Sequence, residues 1–237
     1  MKLAPAGACL AAWAALALCA PVWAQDHPQG SPQYPSMAPV AQYRIASSAD
    51  EIALARSAAP PSISGEADVW VLGARGYEKA IKGTNGFACI VERSWGADPD
   101  DAEFWNPKLR GPACFNEPAA QSALPQYLKR TEWVLAGADK LQIRERTRAA
   151  FASLEFTAPK AGAMCYMLSP RQYLSDAGGR WLPHLMFFVG AQEPAAWGAN
   201  AAGSPIIGFA SKDDPSTLFI VPVRTWSDGT PAPNVTK

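Results

Sequence analysis

Val69 to Val91 reads VWVLGARGYEKAIKGTNGFACIV. Val69 to Leu72 is an apolar run of strand-favouring residues, and Gly73 and Gly76 follow as turn residues. Tyr77 to Lys82 alternates loosely, Gly83-Thr84-Asn85-Gly86 marks a sharp turn, and Phe87 to Val91 returns as a mostly apolar strand. Three strands joined by tight turns imply an antiparallel meander. A strand follows Gly86 where a phosphate-cradling loop requires a helix, so the glycines serve the turn.

Outward from this block, Ser48 caps a short helix with Glu51 completing the capping-box spacing, and Pro60-Pro61 stops it. Ala97 to Pro118 reads as irregular: acidic at Asp98, Asp100, Asp101 and Glu103, then aromatic. Pro118 opens a helical stretch that Pro125 interrupts; Leu128, Trp133, Val134 and Leu135 carry a helix to Gly137. Asp139 caps the next helix, whose polar side with Arg144, Glu145, Arg146 and Arg148 suits a solvated face. Ala163 to Leu168, Tyr173-Leu174, Trp181 to Val189 and Leu218 to Val223 follow as strand segments, with a hairpin turn at Asp176 to Gly179, a bulge or edge position at Pro183 and a helical turn at Ala195 to Trp197. Segregated blocks of strands and helices indicate α+β. The expected architecture is one domain with a mostly antiparallel sheet of about six strands, two central helices and a short N-terminal one.

Residues 1–24 read as a cleavable export signal: Lys2, an Ala/Leu-rich run from Leu10 to Ala20, then Pro21 and the small Ala24 before Gln25. The apolar run is shorter than the roughly 20 residues that span a bilayer. Leu18 occupies the place where a lipoprotein Cys19 requires a small residue. Four prolines among Gln, Ser and Gly give residues 25–44 the composition of a disordered linker, and 228–237 reads as a disordered tail, leaving 45–227 as the folded domain. The expected location is periplasmic or secreted, with no transmembrane segment in the mature chain.

Lys plus Arg and Asp plus Glu balance at 21 each. A balanced chain lacks the basic excess that replaces phosphate counterions, which argues against nucleic acid, and it holds no polybasic cluster for anionic lipid. Cys9 and Cys19 leave with the signal, so Cys89, Cys114 and Cys165 remain and allow one internal disulfide. Cys89–Cys114 is the preferred pair because the segment between them is rich in turns. Zinc ligands come in close pairs, and Cys89, Cys114, Cys165 and His184 are too widely spaced for that. The acidic run from Asp98 to Glu103 lacks the glycine and closing Glu of an EF-hand loop and reads as a solvated loop. No metal and no cofactor is expected.

Candidates for chemistry are few. His27 falls in the linker, so His184 is the domain's histidine, either hydrogen-bonded at a sheet edge or acting as a general base. Glu92-Arg93 interrupts an apolar strand: Glu92 is the carboxylate to pair with His184, and alternation sends Arg93 to solvent. Ser94, Ser169 and Cys165 are candidate nucleophiles, and no Gly-x-Ser-x-Gly elbow occurs. Trp95, Trp105 and Trp181 lie in or beside loops, where they either line a ligand site or anchor the loops to the body.

The runs Lys82 to Phe87, Val91 to Trp95, Phe104 to Lys108, Ala163 to Met167 and Pro183 to Phe188 resemble a family of exported bacterial proteins of unknown function. The resemblance extends from about Glu51 to Gly229 and implies a shared fold; it brings no activity and no catalytic residue. The expectation is therefore an exported binding module for a small molecule or an envelope partner. The alternatives are a hydrolase or transferase using His184 as general base, or a structural envelope component.

Overall fold

The computed structural model describes residues 33–233; the expected signal at 1–24, the first part of the expected linker and the last four residues lie outside the described residues. The fold is α+β around one eight-stranded sheet. The strands are β1 (Asp68–Leu72), β2 (Tyr77–Ile81), β3 (Ala88–Glu92), β4 (Gly111–Phe115), β5 (Met164–Met167), β6 (His184–Gly190), β7 (Ile207–Ala210) and β8 (Ser216–Pro222). Their spatial order is β2-β1-β3-β4-β5-β6-β8-β7.

The expected three-strand meander is not what forms. β1 and β2 pair antiparallel, but β3 lies on the other side of β1 and runs parallel to it through Asp68↔Ala88 and Val69↔Cys89. The turn at Gly83 explains the difference. Gly83 N–H donates to Asp68 Oδ1 (2.7 Å) and Thr84 N–H to the Glu66 carbonyl (2.8 Å), so the chain is drawn across the start of β1 instead of folding back on β2. A Cβ at Gly83 would lie 2.3 Å from the Ala67 carbonyl carbon, so only glycine fits this crossing.

Eight strands replace the expected six or so. β4 falls inside the stretch read as irregular; all five of its residues are buried, so it shows no alternation. Pro112 is accommodated because the β4–β5 ladder holds only Cys114↔Tyr166 and Phe115↔Cys165 and stops short of it. β7 is a four-residue edge strand. Conversely, Tyr173 makes a single bridge to Arg110, and β6 starts at His184, leaving Trp181 in the preceding loop.

Among the described residues five α-helices replace the expected three: α1 (Ser48–Arg56), α2 (Pro61–Ser64), α3 (Glu117–Ser122), α4 (Leu124–Leu135) and α5 (Lys140–Ala152). Asp139 caps α5 in a reciprocal box with Gln142. The N-cap of α1 is Ser47, whose hydroxyl accepts from Asp50 N–H (3.0 Å), so Glu51 is free to turn inward. On one face of the sheet α3 and α4 cover a core of Ile90, Ala113, Phe115, Cys165, Met186 and Phe188. On the other, α1 packs over Val69, Cys89, Val91 and Cys114. Cys89 and Cys114, directly opposite each other in the β3–β4 ladder, form the disulfide.

The described part of the expected linker is anchored at Tyr34 and Tyr43, whereas that of the expected tail, 228–233, is largely exposed and held by backbone hydrogen bonds. Tyr34 donates its hydroxyl to Asp176 (2.6 Å), and Val40–Tyr43 forms a short 3-10 helix. Tyr43 is fully buried with its hydroxyl donating to the Trp105 carbonyl (2.8 Å). At the other end, Trp226 N–H donates to the Thr230 carbonyl (2.9 Å) and Ala232 N–H to the Arg224 carbonyl (2.8 Å), closing a turn. Composition alone misses the N-terminal anchors because two tyrosines offset the ordering entropy of a polar segment.

Candidate functional site

Alternation along β3 and β6 sends Glu92 and His184 to the face that carries Ile90 and Met186. Beyond the end of the core at that edge, the sheet and the segment following β3 line a partly open cavity of about 240 Å³. Its polar wall includes Glu92, Arg93, Ser94 and His184; its apolar wall includes Leu109, Met167, Leu174 and Met186, with Trp181 at the side. A second cavity of about 570 Å³ lies next to it and shares Gly96, Ala97, Tyr127, Leu218 and Ile220.

The inner polar groups are poorly partnered. Among the described residues, Glu92 Oε1 and the fully buried Ser94 Oγ find no hydrogen-bond partner. Burial pushes the Glu92 carboxyl up to about 8, with Arg130 opposing, so it is mostly uncharged at neutral pH. His184, 2% exposed, is drawn down to about 4 by burial and is neutral. Its Nδ1 lies 2.8 Å from the Leu182 carbonyl. A carbonyl only accepts, so the ring proton sits on Nδ1 and Nε2 is left as a bare acceptor. Gln172 Nε2 donates to the same carbonyl (3.1 Å) and to that of Arg180 (2.8 Å), which holds the loop before β6. In that loop Trp181 adopts φ +53°, unusual for a bulky side chain, and sets its ring edge-on to His184 at 4.7 Å.

Glu92 and His184 thus line one cavity without touching. β4 and β5 lie between their strands, and three strand spacings put the backbones about 14 Å apart. Of the candidate nucleophiles, Ser169 Oγ is bonded to Ser57 Oγ (2.6 Å), and Cys165 is buried in the core with its thiol pushed well up by burial. Ser94 shares the cavity, yet among the described residues the only side-chain hydrogen bond of His184 is to Leu182.

Two of the three candidate tryptophans anchor loops. Trp95 is buried and donates Nε1–H to Thr131 Oγ1 of α4 (2.8 Å); Trp105 is buried in a cluster with Tyr43, Leu72, Val134 and Ile143. Trp181 alone of the three lines a cavity. Arg93, expected at the surface, is buried: its guanidinium donates to the Tyr43 and Val91 carbonyls and pairs with Glu51. Both residues are covered because both faces of the sheet are: alternation sends Glu92 to the Ile90 face and Arg93 to the α1 face, where Glu51 meets it. Among the described residues no three His, Cys, Asp or Glu side chains gather where a metal would sit.

The larger cavity is absent from the sequence reading. Phe188, Leu218 and Ile220 form its floor, and its rim is tied by charge. Arg130 donates to the Trp95, Gly96 and Ala97 carbonyls. Arg144 pairs with Asp98 (3.1 Å), Asp100 (2.7 Å) and Asp213 (3.2 Å), and Arg148 also holds Asp213 (2.7 Å). Arg144 joins the acidic run to α5, while Asp98, Asp100 and Asp101 and, on α5, Glu145, Arg146 and Arg148 remain exposed as expected. Nothing local to either segment announces this pairing.

No protein-family model, curated protein or solved structure matches the chain.

Proposed function

We propose that this chain is an exported binding module for a small, largely apolar molecule. The carrying observation is the cavity of about 570 Å³ floored by Phe188, Leu218 and Ile220. That volume lies within the roughly 300–1,000 Å³ usual for small-molecule sites, and an apolar floor under a polar rim is their usual make-up. The ion pairs of Asp213 with Arg144 and Arg148 fix the loop between β7 and β8 over the rim, which favours a largely pre-formed site. The Cys89–Cys114 disulfide supports export, since such bonds persist in oxidising compartments. Among the described residues no helix is long and apolar enough to cross a membrane.

Titration with N-phenyl-1-naphthylamine, an uncharged fluorophore that brightens in apolar surroundings, tests the reading. Saturable 1:1 binding is expected, weakened at least tenfold by Ala97→Trp, which fills the shared wall of the two cavities. Absence of saturable binding, or binding indifferent to Ala97→Trp, overturns it.

A further inference from the structure

Glu92, Ser94 and His184 are three polar side chains on the wall of one 240 Å³ cavity, and the partnering of each is incomplete. Among the described residues, Glu92 Oε1 and Ser94 Oγ have no hydrogen-bond partner, and His184 keeps one ring nitrogen free once Nδ1 has bonded Leu182. Buried polar atoms are nearly always satisfied, so orphans that share a cavity point to a group that enters it. We propose that this inner cavity is the subsite for an uncharged, hydrogen-bonding group, an alcohol or a primary amide, at the end of an apolar chain lying in the larger cavity. The proposal rests on the binding reading above and names the class of ligand.

Charge complementarity settles the class. Arg93, on the wall of this cavity, is occupied by Glu51 and two carbonyls, while Arg130, whose Nη1 donates to three carbonyls of the Trp95–Ala97 turn, lines the larger cavity and not this one. A ligand carboxylate entering the cavity would therefore lose its water without gaining a cation. A ligand ammonium would meet a carboxyl that is mostly protonated at neutral pH and a neutral imidazole. An amide or hydroxyl is the better match, since it donates to His184 Nε2 or Glu92 and accepts from Ser94 or the Glu92 hydroxyl.

Two glycines keep the space open. A Cβ at Gly111 would sit 3.2 Å from Met167 Cε and 3.5 Å from Glu92 Cβ. A Cβ at Gly96, on the wall common to both cavities, would sit 3.3 Å from Glu92 Oε2 and 3.4 Å from Tyr127 Cε1. Any larger side chain at 96 closes the junction between chain and head-group sites.

Displacement of N-phenyl-1-naphthylamine from the exported chain by 1-octanol, octanamide, octanoate and octylammonium at pH 7 tests this. Octanol and octanamide should compete at least tenfold more strongly than the two ions. Ser94→Ala and Gly96→Leu should each weaken octanamide at least fivefold relative to the fluorophore in the same variant, and Glu92→Leu should weaken it more than Glu92→Gln. Octanoate or octylammonium competing as well as octanamide overturns the proposal. So does octanamide binding that is indifferent to Ser94→Ala and Gly96→Leu, which makes the inner cavity a solvent-filled space. In both cases fluorophore binding still stands and the binding reading survives, whereas loss of fluorophore binding in the wild-type chain sinks both.

Discussion

Glu51 of α1 and Arg93, just beyond the end of β3, meet in an ion pair of 2.8 Å whose side chains are 5% and 0% exposed. Glu51 Oε1 also accepts Leu72 N–H of β1 (3.1 Å), and Arg93 Nε donates to the Tyr43 carbonyl (2.7 Å). One buried pair therefore ties α1, β1, the end of β3 and the N-terminal segment together. It also places Glu92 and Ser94, its neighbours on either side of Arg93, against the inner cavity.

Removing one member of this pair leaves an uncompensated buried charge, which costs about 3–5 kcal/mol. Glu51→Leu and Arg93→Met alone should each lower the free energy of unfolding by that order in urea. Arg93→Lys should do nearly as badly, since one ammonium cannot reach Glu51, Tyr43 and Val91 together. The double variant Glu51→Leu/Arg93→Met should recover part of the loss. Strictly additive losses would show that the two residues act separately.

The cysteines separate into a cross-link and an inert thiol. Reducing Cys89–Cys114, which closes a loop of sequence separation 25, should destabilise the fold by about 3 kcal/mol on the chain-entropy account. Cys165 is buried, and its thiol is pushed well up by burial, so iodoacetamide should leave it untouched in the native protein and label it in guanidinium chloride. Native-state labelling would mean that the core around Cys165 opens far more readily than its packing implies.

What could be read from the sequence was what is local. The α5 cap at Asp139, the β5 and β6 runs and the turn at Gly83 are each written in a few adjacent residues. β4 was hidden because a strand buried on both faces has no alternation, and Gly111-Pro112 argues locally against one. The parallel β1–β3 pairing depends on where Asp68 and Glu66 catch the Gly83–Thr84 amides, a contact no window of sequence displays. At the site, Glu92 and His184 were visible as polar breaks in apolar runs. Their shared cavity was not, because it follows from a strand order that sets β4 and β5 between them. Ser94 and Gly96 matter through what they face, and neither has a local signature.

Asp176 should control the N-terminal segment. Its carboxylate accepts the Tyr173 and Tyr34 hydroxyls (2.6 Å each) and Gln33 Nε2 (2.8 Å), and it pairs with Lys108 (3.2 Å). The Tyr173 hydroxyl first, then that of Tyr34, holds the carboxyl well below the usual carboxylate range. Asp176→Ala removes the anchor of residues 33–34 while leaving Tyr43 buried. Subtilisin should then cut between residues 33 and 42 at least fivefold faster, with the rest of the domain intact by mass spectrometry. An unchanged rate would assign the anchoring to Tyr43 alone.

Glu92 and His184 should shape the pH dependence of stability in opposite senses. The His184 imidazole is drawn down to about 4 from an ordinary value near 6.5. As pH falls through that window the unfolded chain takes up a proton that the folded chain refuses, so stability drops, by about 3 kcal/mol in full. The Glu92 carboxyl is pushed up to about 8 from 4.5. As pH rises from 4.5 to 8 the folded chain keeps a proton that the unfolded chain has released, so stability drops in that direction, by several kcal/mol at most. Between about pH 4.5 and 6.5 the two effects oppose, and above that window the Glu92 effect acts alone. Urea unfolding of Glu92→Gln from pH 5 to 8.5 should therefore gain steadily on wild type as pH rises, by about 2 kcal/mol or more at pH 8. Glu92→Gln tracking wild type across the range would mean that the carboxyl is ionised in the folded state, and the inner cavity would then hold a negative charge suited to a cationic group.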